Sequence, residues 1–393
     1  MNHRTPPAES RTPVLLVRDM PEQRLASMER LADQIERGFA THPRYRMKSM
    51  ALHASLAAAR IGLGRVDSCA TRFARYPLAA SRMRAGVYHI VDHGYAHVAA
   101  LLPRERTVVS CHDLMLLKAE EGMAGFVPGR VQLARFRWST SYLKKVARVV
   151  CPSESTKRDL VRLRGVSPQR ISVVPYGVDA RFRPLGLDAQ ANLKAALPGA
   201  VRHAVLHVST GDAYKNVSGT LRVLAALRES AVDITLIRVG KPLSVDERRL
   251  AAELRVMGAI IECGRVSEGR LVELYNAADV LLFPSFHEGY GWPPLEAMAC
   301  GTPVVTSDAL SLTELVGDAG LAAPARDVAA LASAVRSVFD SPDLAETLRW
   351  RGIECAAQLT WQRTIDGFAQ AYAMVEEGAA VCASEERSRA CAA

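Results

Sequence analysis

The sequence predicts an α/β protein made of two doubly wound, parallel-sheet domains in tandem. Three observations carry this expectation. The chain has 393 residues, 49% of them hydrophobic and 23% charged, enough for two ordinary cores. Short apolar runs alternate with segments of helical period, as they do in a parallel sheet covered on both faces. The alternation then restarts after a looser Pro/Gly stretch, RFRPLGLDAQANLKAALPGAVR.

Taken in order, PVLLVRD (13–19) reads as the first strand and MERLADQIERGF as a helix. GVYHIVDHG (86–94), RTVVSCHDL (106–114), RVVCPS (148–153) and ISVVPYGVD (171–179) read as further strands, with STKRDLVRLRG as a helix. The second series is AVLHVST (204–210), ITLIRVG (234–240), AIIECG (259–264), DVLLFPS (279–285) and TPVVTSD (302–308). In FPSFHEGYGWPPLEAMACG the strand ends at Phe283 or Pro284, and Gly289 and Gly291 allow a tight turn. Pro293 or Pro294 opens a helix that stops near Gly301. Glu296 is placed in the first turn, where the helix dipole favours a carboxylate. SLTE (311–314) matches a capping box, Ser311 capping and Glu314 reaching back. TWQRTIDGFAQAYAMVEEG (360–378) reads as an amphipathic helix, and the small-residue tail 379–393 as disordered. The predicted domains are 1–182, joined by the helix at 361–376, and 183–360.

Net charge is +9 but uneven: residues 1–184 carry 31 Lys+Arg against 15 Asp+Glu, and residues 185–393 carry 19 against 26. Within 41–84, nine basic residues (Arg44, Arg46, Lys48, Arg60, Arg65, Arg72, Arg75, Arg82, Arg84) face the single acid Asp67. Such a cluster attracts phosphates, from nucleic acid or an anionic membrane. No recognition helix, aromatic stacking platform or zinc module supports nucleic acid. No signal peptide or membrane-spanning stretch is read, and the eight scattered cysteines suit a reducing cytoplasm. HIVDHGYAH hints at a metal, but one strand alternates its side chains and its ligand count falls short.

In doubly wound sheets ligands collect at the carboxyl ends of strands, so the residues just after each apolar run are the candidates for chemistry. Glu288 lies on the loop before a helix whose exposed amides could take a phosphate, and Glu296 could accept two vicinal hydroxyls. Lys215, in a Gly-containing loop between strand and helix, could neutralise a diphosphate. With no D-x-D pair in the chain, the usual carboxylate platform for a metal-bound diphosphate is missing.

The run from about 148 to 376 resembles the family 4 glycosyltransferases, retaining nucleotide-sugar enzymes of GT-B architecture. The resemblance lies in SESTKRDLVRLRGVSPQRISVVPYGVD, YKN and LYNAADVLLFPSFHEGYGWPPLEAMACGTPVVTSDALSLTELVGDAGL, with the E-x7-E spacing of Glu288 and Glu296 as its specific part. It implies two Rossmann-like domains facing across a cleft. Glu288, Lys215 and His112 take catalytic roles: Glu288 at the transferred sugar and its developing charge, Lys215 at the diphosphate, His112 near the sugar and acceptor. Glu296 binds the ribose hydroxyls, with Gly289, Tyr290, Gly291, Asn216, Ser209, Thr210, Arg265 and Val266 around the donor. Two departures stand out: Ser209 and Thr210 occupy the place where many relatives put an arginine, and RDMPEQRLASMERL replaces a Gly-rich first loop.

The expected reaction moves a hexose such as mannose from a nucleoside diphosphate sugar to a hydroxyl of a cell-surface glycan or lipid-linked oligosaccharide, with retention by front-face attack and domain closure. No cofactor or metal is expected. Arg44, Arg46, Lys48, Arg72 and Arg75 would serve an acceptor or the anionic cytoplasmic face of a bacterial inner membrane. A sugar-nucleotide epimerase of the same fold is the nearer rival, and a basic nucleic-acid-binding protein the more distant one.

Overall fold

The computed structural model describes residues 11–23, 26–54, 64–122, 125–199, 201–230 and 232–391. The chain divides into two compact units. The first takes the chain up to Leu117, residues 129–175 and everything from Trp361 onward; the second takes Lys118–Pro128 and Tyr176–Thr360.

The first unit holds a six-stranded sheet: β1 (Thr12–Val17), β2 (Tyr45–Met50), β3 (Val87–Ile90), β4 (Thr107–Ser110), β5 (Arg148–Cys151) and β6 (Ile171–Val173), in the order β2-β1-β3-β4-β5-β6. Every pairing is parallel. Its interior strands are β-branched and buried on both faces, as crossover helices require. β2, YRMKSM, goes unread in the sequence because it is an edge strand with only its terminal residues buried. Charges on such an edge discourage strand addition.

The helix Trp361–Cys391 packs on this unit. Ile365 lies so close to Gly38, in the helix Ala26–Phe39, that a β-carbon there would sit 2.3 Å from it. Tyr372 is fully buried and its hydroxyl lies 2.8 Å from Nδ1 of His89, whose Nε2 meets the Ser110 hydroxyl at 2.8 Å. Burial pushes the His89 imidazole down to about 3, so it serves as a neutral link between helix and sheet. Farther along, Glu376 accepts from Thr12, Tyr45 and Arg44. The helix continues to Cys391, over a segment expected to be disordered. Its alanines, glutamates and arginines are strong helix formers, and a helix already anchored needs no new nucleus to extend.

The second unit holds β7 (His203–Ser209), β8 (Ile234–Gly240), β9 (Ile260–Gly264), β10 (Val280–Phe283), β11 (Val304–Ser307) and β12 (Leu321–Ala323), also all parallel. The order β12-β11-β10-β7-β8-β9 places the topological switch point between β7 and β10. The three-residue β12 is too short to register as an apolar run. The stretch 181–202, read as a linker, contains the helix Leu187–Ala195. Asn276 holds its start, accepting from the Leu185 amide and the Gln190 side chain and donating to the Arg183 carbonyl.

The border falls at Tyr176, before the expected 182. The Tyr176 ring packs against Tyr290 and Trp292, its carbonyl accepts from the Tyr290 hydroxyl, and Gly177 accepts from Trp292. Residues 118–128 join the second unit through Phe126 against Tyr214 and Gly125 against Phe286.

Candidate active site

The loops that follow β7 and β10 meet at the switch point of the second unit. Ala213–Lys215 forms a single 3-10 turn, and Asn216 leaves it in the left-handed conformation, φ +54°, to cap the helix Val217–Glu229. That geometry brings Nζ of Lys215 to 2.7 Å from Oε1 of Glu288, with both side chains nearly dry. The ammonium also lies 4.9 Å from the Tyr214 ring centre and 5.2 Å from that of Phe283. Water is largely excluded, so each charge depends on the other or on an incoming group to replace it.

The loop carrying Glu288 is held from behind. Ser311 donates to the Glu288 carbonyl at 2.6 Å. This corrects the capping-box reading of 311–314: the cap position of the helix Leu310–Val316 is Ala309, and no side chain caps it. A contact across the fold claims the hydroxyl that a local cap would have used. Gly291, at φ +121°, caps the helix Trp292–Ala299, with Leu312 2.8 Å from where a β-carbon would stand. A substituted residue would be both strained and crowded there.

Glu296 is buried, 4% exposed, and accepts a hydrogen bond from the Tyr275 hydroxyl at 2.9 Å. It lies in the second turn of its helix, since the helix opens at Trp292, and the dipole argument for it is correspondingly weaker. Tyr275 escaped the sequence reading because it sits in the helix Glu268–Ala277, remote in sequence.

Several expected donor contacts are committed to the protein itself. Asn216 accepts from Gly219 and donates to the carbonyls of Pro284 and Ala325, so its side chain binds the two loops together. Tyr290 gives its hydroxyl to the Tyr176 carbonyl, and burial pushes its ionisation well above the ordinary value. The Ser209 hydroxyl lies 3.0 Å from His207 Nε2, and exposed Thr210 donates to Asp212. Gly289 lies on the Glu288 loop; Arg265 is exposed and Val266 packs on the core beyond β9.

In the first unit the switch point lies between β1 and β3. After β1 comes Asp19, buried, with neither carboxylate oxygen hydrogen-bonded among the described residues. Burial first, and Asp92 second, push its carboxyl up to about 9. Asp19 carries no motif signal of its own in RDMPEQRLASMERL, where a Gly-rich turn is the feature expected. After β3 comes Asp92, which accepts from the Gly94 amide. Burial opposes its charge, but His93, His112, the Gly94 amide and Arg72 outweigh burial and hold it below the usual carboxylate range.

His112 is buried, with Nε2 2.8 Å from the Val91 carbonyl, and burial followed by His93 lowers its basicity. Asp92, His93 and His112 bring one donor atom each within 4.8 Å of one another. The ligand count inferred from one strand was therefore too low, because His112 arrives from the next strand. His93 Nδ1 is itself 3.1 Å from Asp92 and 3.4 Å from the His112 amide.

The basic cluster is distributed over separate features. Arg44 pairs with Glu376, Arg75 with Asp67, and Arg72 donates to the Gly94 carbonyl beneath the Tyr95 ring. Arg72 lines a cavity of about 470 Å³ with Glu22, Cys69, Phe73 and Arg135. Arg46 and Lys48 line a different one, of about 580 Å³, together with Arg82 and Arg84. Arg60 lies outside the described residues. Among the described residues, no helix is long and apolar enough to cross a membrane.

The chain is 35% identical over 240 residues to a D-inositol 3-phosphate glycosyltransferase of Acidothermus cellulolyticus, covering 57% of this chain and 52% of that protein. It is 28% identical over 275 residues to the O-antigen chain mannosyltransferase B of Escherichia coli, covering 69% of this chain and 71% of that one. The alignment thus spans about half the length of the first relative. Among solved structures, Anabaena HepE in complex with UDP-glucose superposes with a TM-score of 0.72 at 16% identity, covering 91% of this chain and 98% of that one, a likeness of fold. The model for Glycosyltransferase Family 4 matches residues 52–182, mostly in the first unit, and that for Glycosyl transferases group 1 matches 199–354, in the second. With two six-stranded parallel sheets and these two matches, the chain belongs to the family 4 type of glycosyltransferases, with their two-domain GT-B fold.

Proposed function

We propose that the chain transfers a hexose from a nucleoside diphosphate sugar to a hydroxyl of a glycan or lipid-linked acceptor, with retention of configuration. The carrying observation is the nearly dry Lys215–Glu288 pair at the switch point of the second unit. A diphosphate arriving there offers Lys215 a doubly charged partner, and Glu288 is then released toward the sugar's hydroxyls and its developing positive charge. Glu296, oriented by Tyr275, accepts from the ribose hydroxyls. The departing phosphate oxygen takes the acceptor's proton in a front-face attack, and no side-chain nucleophile is needed. Lys215, helix N-termini and backbone amides stabilise the leaving group without a divalent metal.

The names of the relatives, an inositol phosphate glycosyltransferase and an O-antigen chain mannosyltransferase, support a hydroxyl acceptor, and the second of them a surface glycan. The acceptor is assigned to the first unit. The groove of Arg46, Lys48, Arg82 and Arg84 supports peripheral attachment to the anionic cytoplasmic face of an inner membrane.

The test screens UDP-, GDP- and ADP-hexoses by thermal shift, then follows the stabilising donor with a mixed glycan-lipid acceptor extract, with and without EDTA. One donor raises the melting temperature, sugar moves only when acceptor is present, and EDTA leaves the rate unchanged. Conversion of the donor without acceptor would favour an epimerase instead.

A further inference from the structure

Arg238 is among the largest fully buried side chains, 2% exposed, on the interior strand β8. Among the described residues none of its three guanidinium nitrogens has a hydrogen-bond partner. A dry, unpaired guanidinium is costly, and proteins rarely keep one without a group to meet it.

The surroundings define which group that is. The β7–β8 register sets Arg238 beside His207 and Gly240 beside Ser209, so the side chain starts on the face that carries His207. Nη2 ends 3.3 Å from where a β-carbon on Gly211 would stand, in the same loop that leads to Lys215. Gly211, at φ +76°, leaves that space open.

No neighbour among the described residues is hydrogen-bonded to the guanidinium, although Glu262 is its register partner on β9. His207 is bonded to the Leu282 carbonyl and to Ser209, and burial, then Arg238 and Lys215, push it down to about 3, so it is a neutral imidazole. Glu262 and Glu247 act on Arg238 only electrostatically. Glu262 accepts from the Leu243 amide and pairs with Arg248, while Glu247 closes the capping box on Ser244. Lys215 and Arg238 thus bear on one site, and the acid found there, Glu288, is already taken by Lys215.

We propose that Arg238 is a second diphosphate-binding cation, reaching past Gly211 to hold the phosphate adjoining the one on Lys215. This deepens the donor reading and rests on it. A guanidinium fork meets two oxygens of one phosphate at once, and with Lys215 on the adjoining phosphate the two cations favour a diphosphate over a monophosphate.

The experiment compares full-length wild type with Arg238→Met and Arg238→Lys. Each is titrated calorimetrically with UDP, GDP and ADP, with the matching monophosphates and with inorganic pyrophosphate; melting temperatures are read without ligand. For the diphosphate that wild type prefers, Arg238→Met loses about tenfold or more in affinity, the monophosphate is unaffected, and Arg238→Lys recovers part of the loss. Without ligand, Arg238→Met melts no lower than wild type, because a buried unpaired charge has been removed. Unchanged discrimination between diphosphate and monophosphate in Arg238→Met overturns the proposal. So does a variant that melts lower or fails to fold, since the guanidinium would then be paired in the free protein. If wild type itself binds no diphosphate, the donor reading falls, a result distinct from a failure confined to the variant.

Discussion

Lys215 and Glu288 hold each other at 2.7 Å while both await other partners, and each makes the other tolerable in a nearly dry loop. Removing one partner of a buried ion pair leaves the other uncompensated, at about 3–5 kcal/mol, whereas removing both is often close to neutral. Side-chain exposures of 12% and 10% put this pair at the lower end of that cost. Lys215→Met and Glu288→Gln should therefore each lower the urea midpoint, and the double variant should recover most of the loss. Turnover should fall at least about a hundredfold in all three, because Lys215→Met removes stabilisation of the leaving group, Glu288→Gln that of the sugar's developing positive charge, and the double variant both. A double variant that regained turnover along with stability would reduce the pair to a structural role. The E-x7-E spacing pointed to Glu288 and Glu296, but their partners Lys215 and Tyr275 come from other segments. The side chains of two candidates, Asn216 and Tyr290, are also engaged in hydrogen bonds within the protein, which spacing alone does not reveal.

At the level of elements, the loops that carry the pair are positioned by what lies behind them. Asn216 caps one helix, spans to two carbonyls and adopts a left-handed backbone, four tasks in one side chain and its φ angle. Asn216→Ala should lower stability by about 2 kcal/mol or more, through the lost cap and two unsatisfied carbonyls. Asn216→Gly should recover about 1 kcal/mol of that loss, since glycine accepts the left-handed conformation freely. Chemical denaturation of the two variants checks the order; equal losses would show that the backbone conformation contributes nothing. Most interior strands were legible because a parallel sheet buries both faces and leaves continuous apolar runs. The edge strands β2 and β12 were not, the one for its charges and the other for its length.

For the whole molecule, the charge asymmetry between the two halves of the chain is the property with the widest reach. Arg46, Lys48, Arg82 and Arg84 gather on the first unit, each adding about 1 kcal/mol near an anionic membrane. Reversing two of them, Arg46→Glu with Arg82→Glu, should abolish sedimentation with phosphatidylglycerol vesicles at low salt. Wild type should release from the same vesicles as salt rises and ignore neutral phosphatidylcholine. Equal partitioning of wild type onto both vesicles would refute the attachment. The variants leave the Lys215 loop untouched, so donor binding should be unchanged.

By itself the sequence determined that there are two parallel α/β domains, since the periods of burial are local properties of the chain. It also determined that the acid-bearing turn at 286–301 follows a strand and opens a helix, because glycine and proline constrain backbone angles wherever they stand. Tertiary structure alone decided what those side chains face. Ser311 supports a carbonyl 23 residues away, His112 joins Asp92 and His93 from the next strand, and Asp19 lies buried at the end of β1. The arginine expected ahead of Lys215 is missing there, and Arg238 reaches the same loop from the adjacent strand. Which charge ends dry beside which loop depends on strand order and register, and those are set by packing between segments distant in sequence.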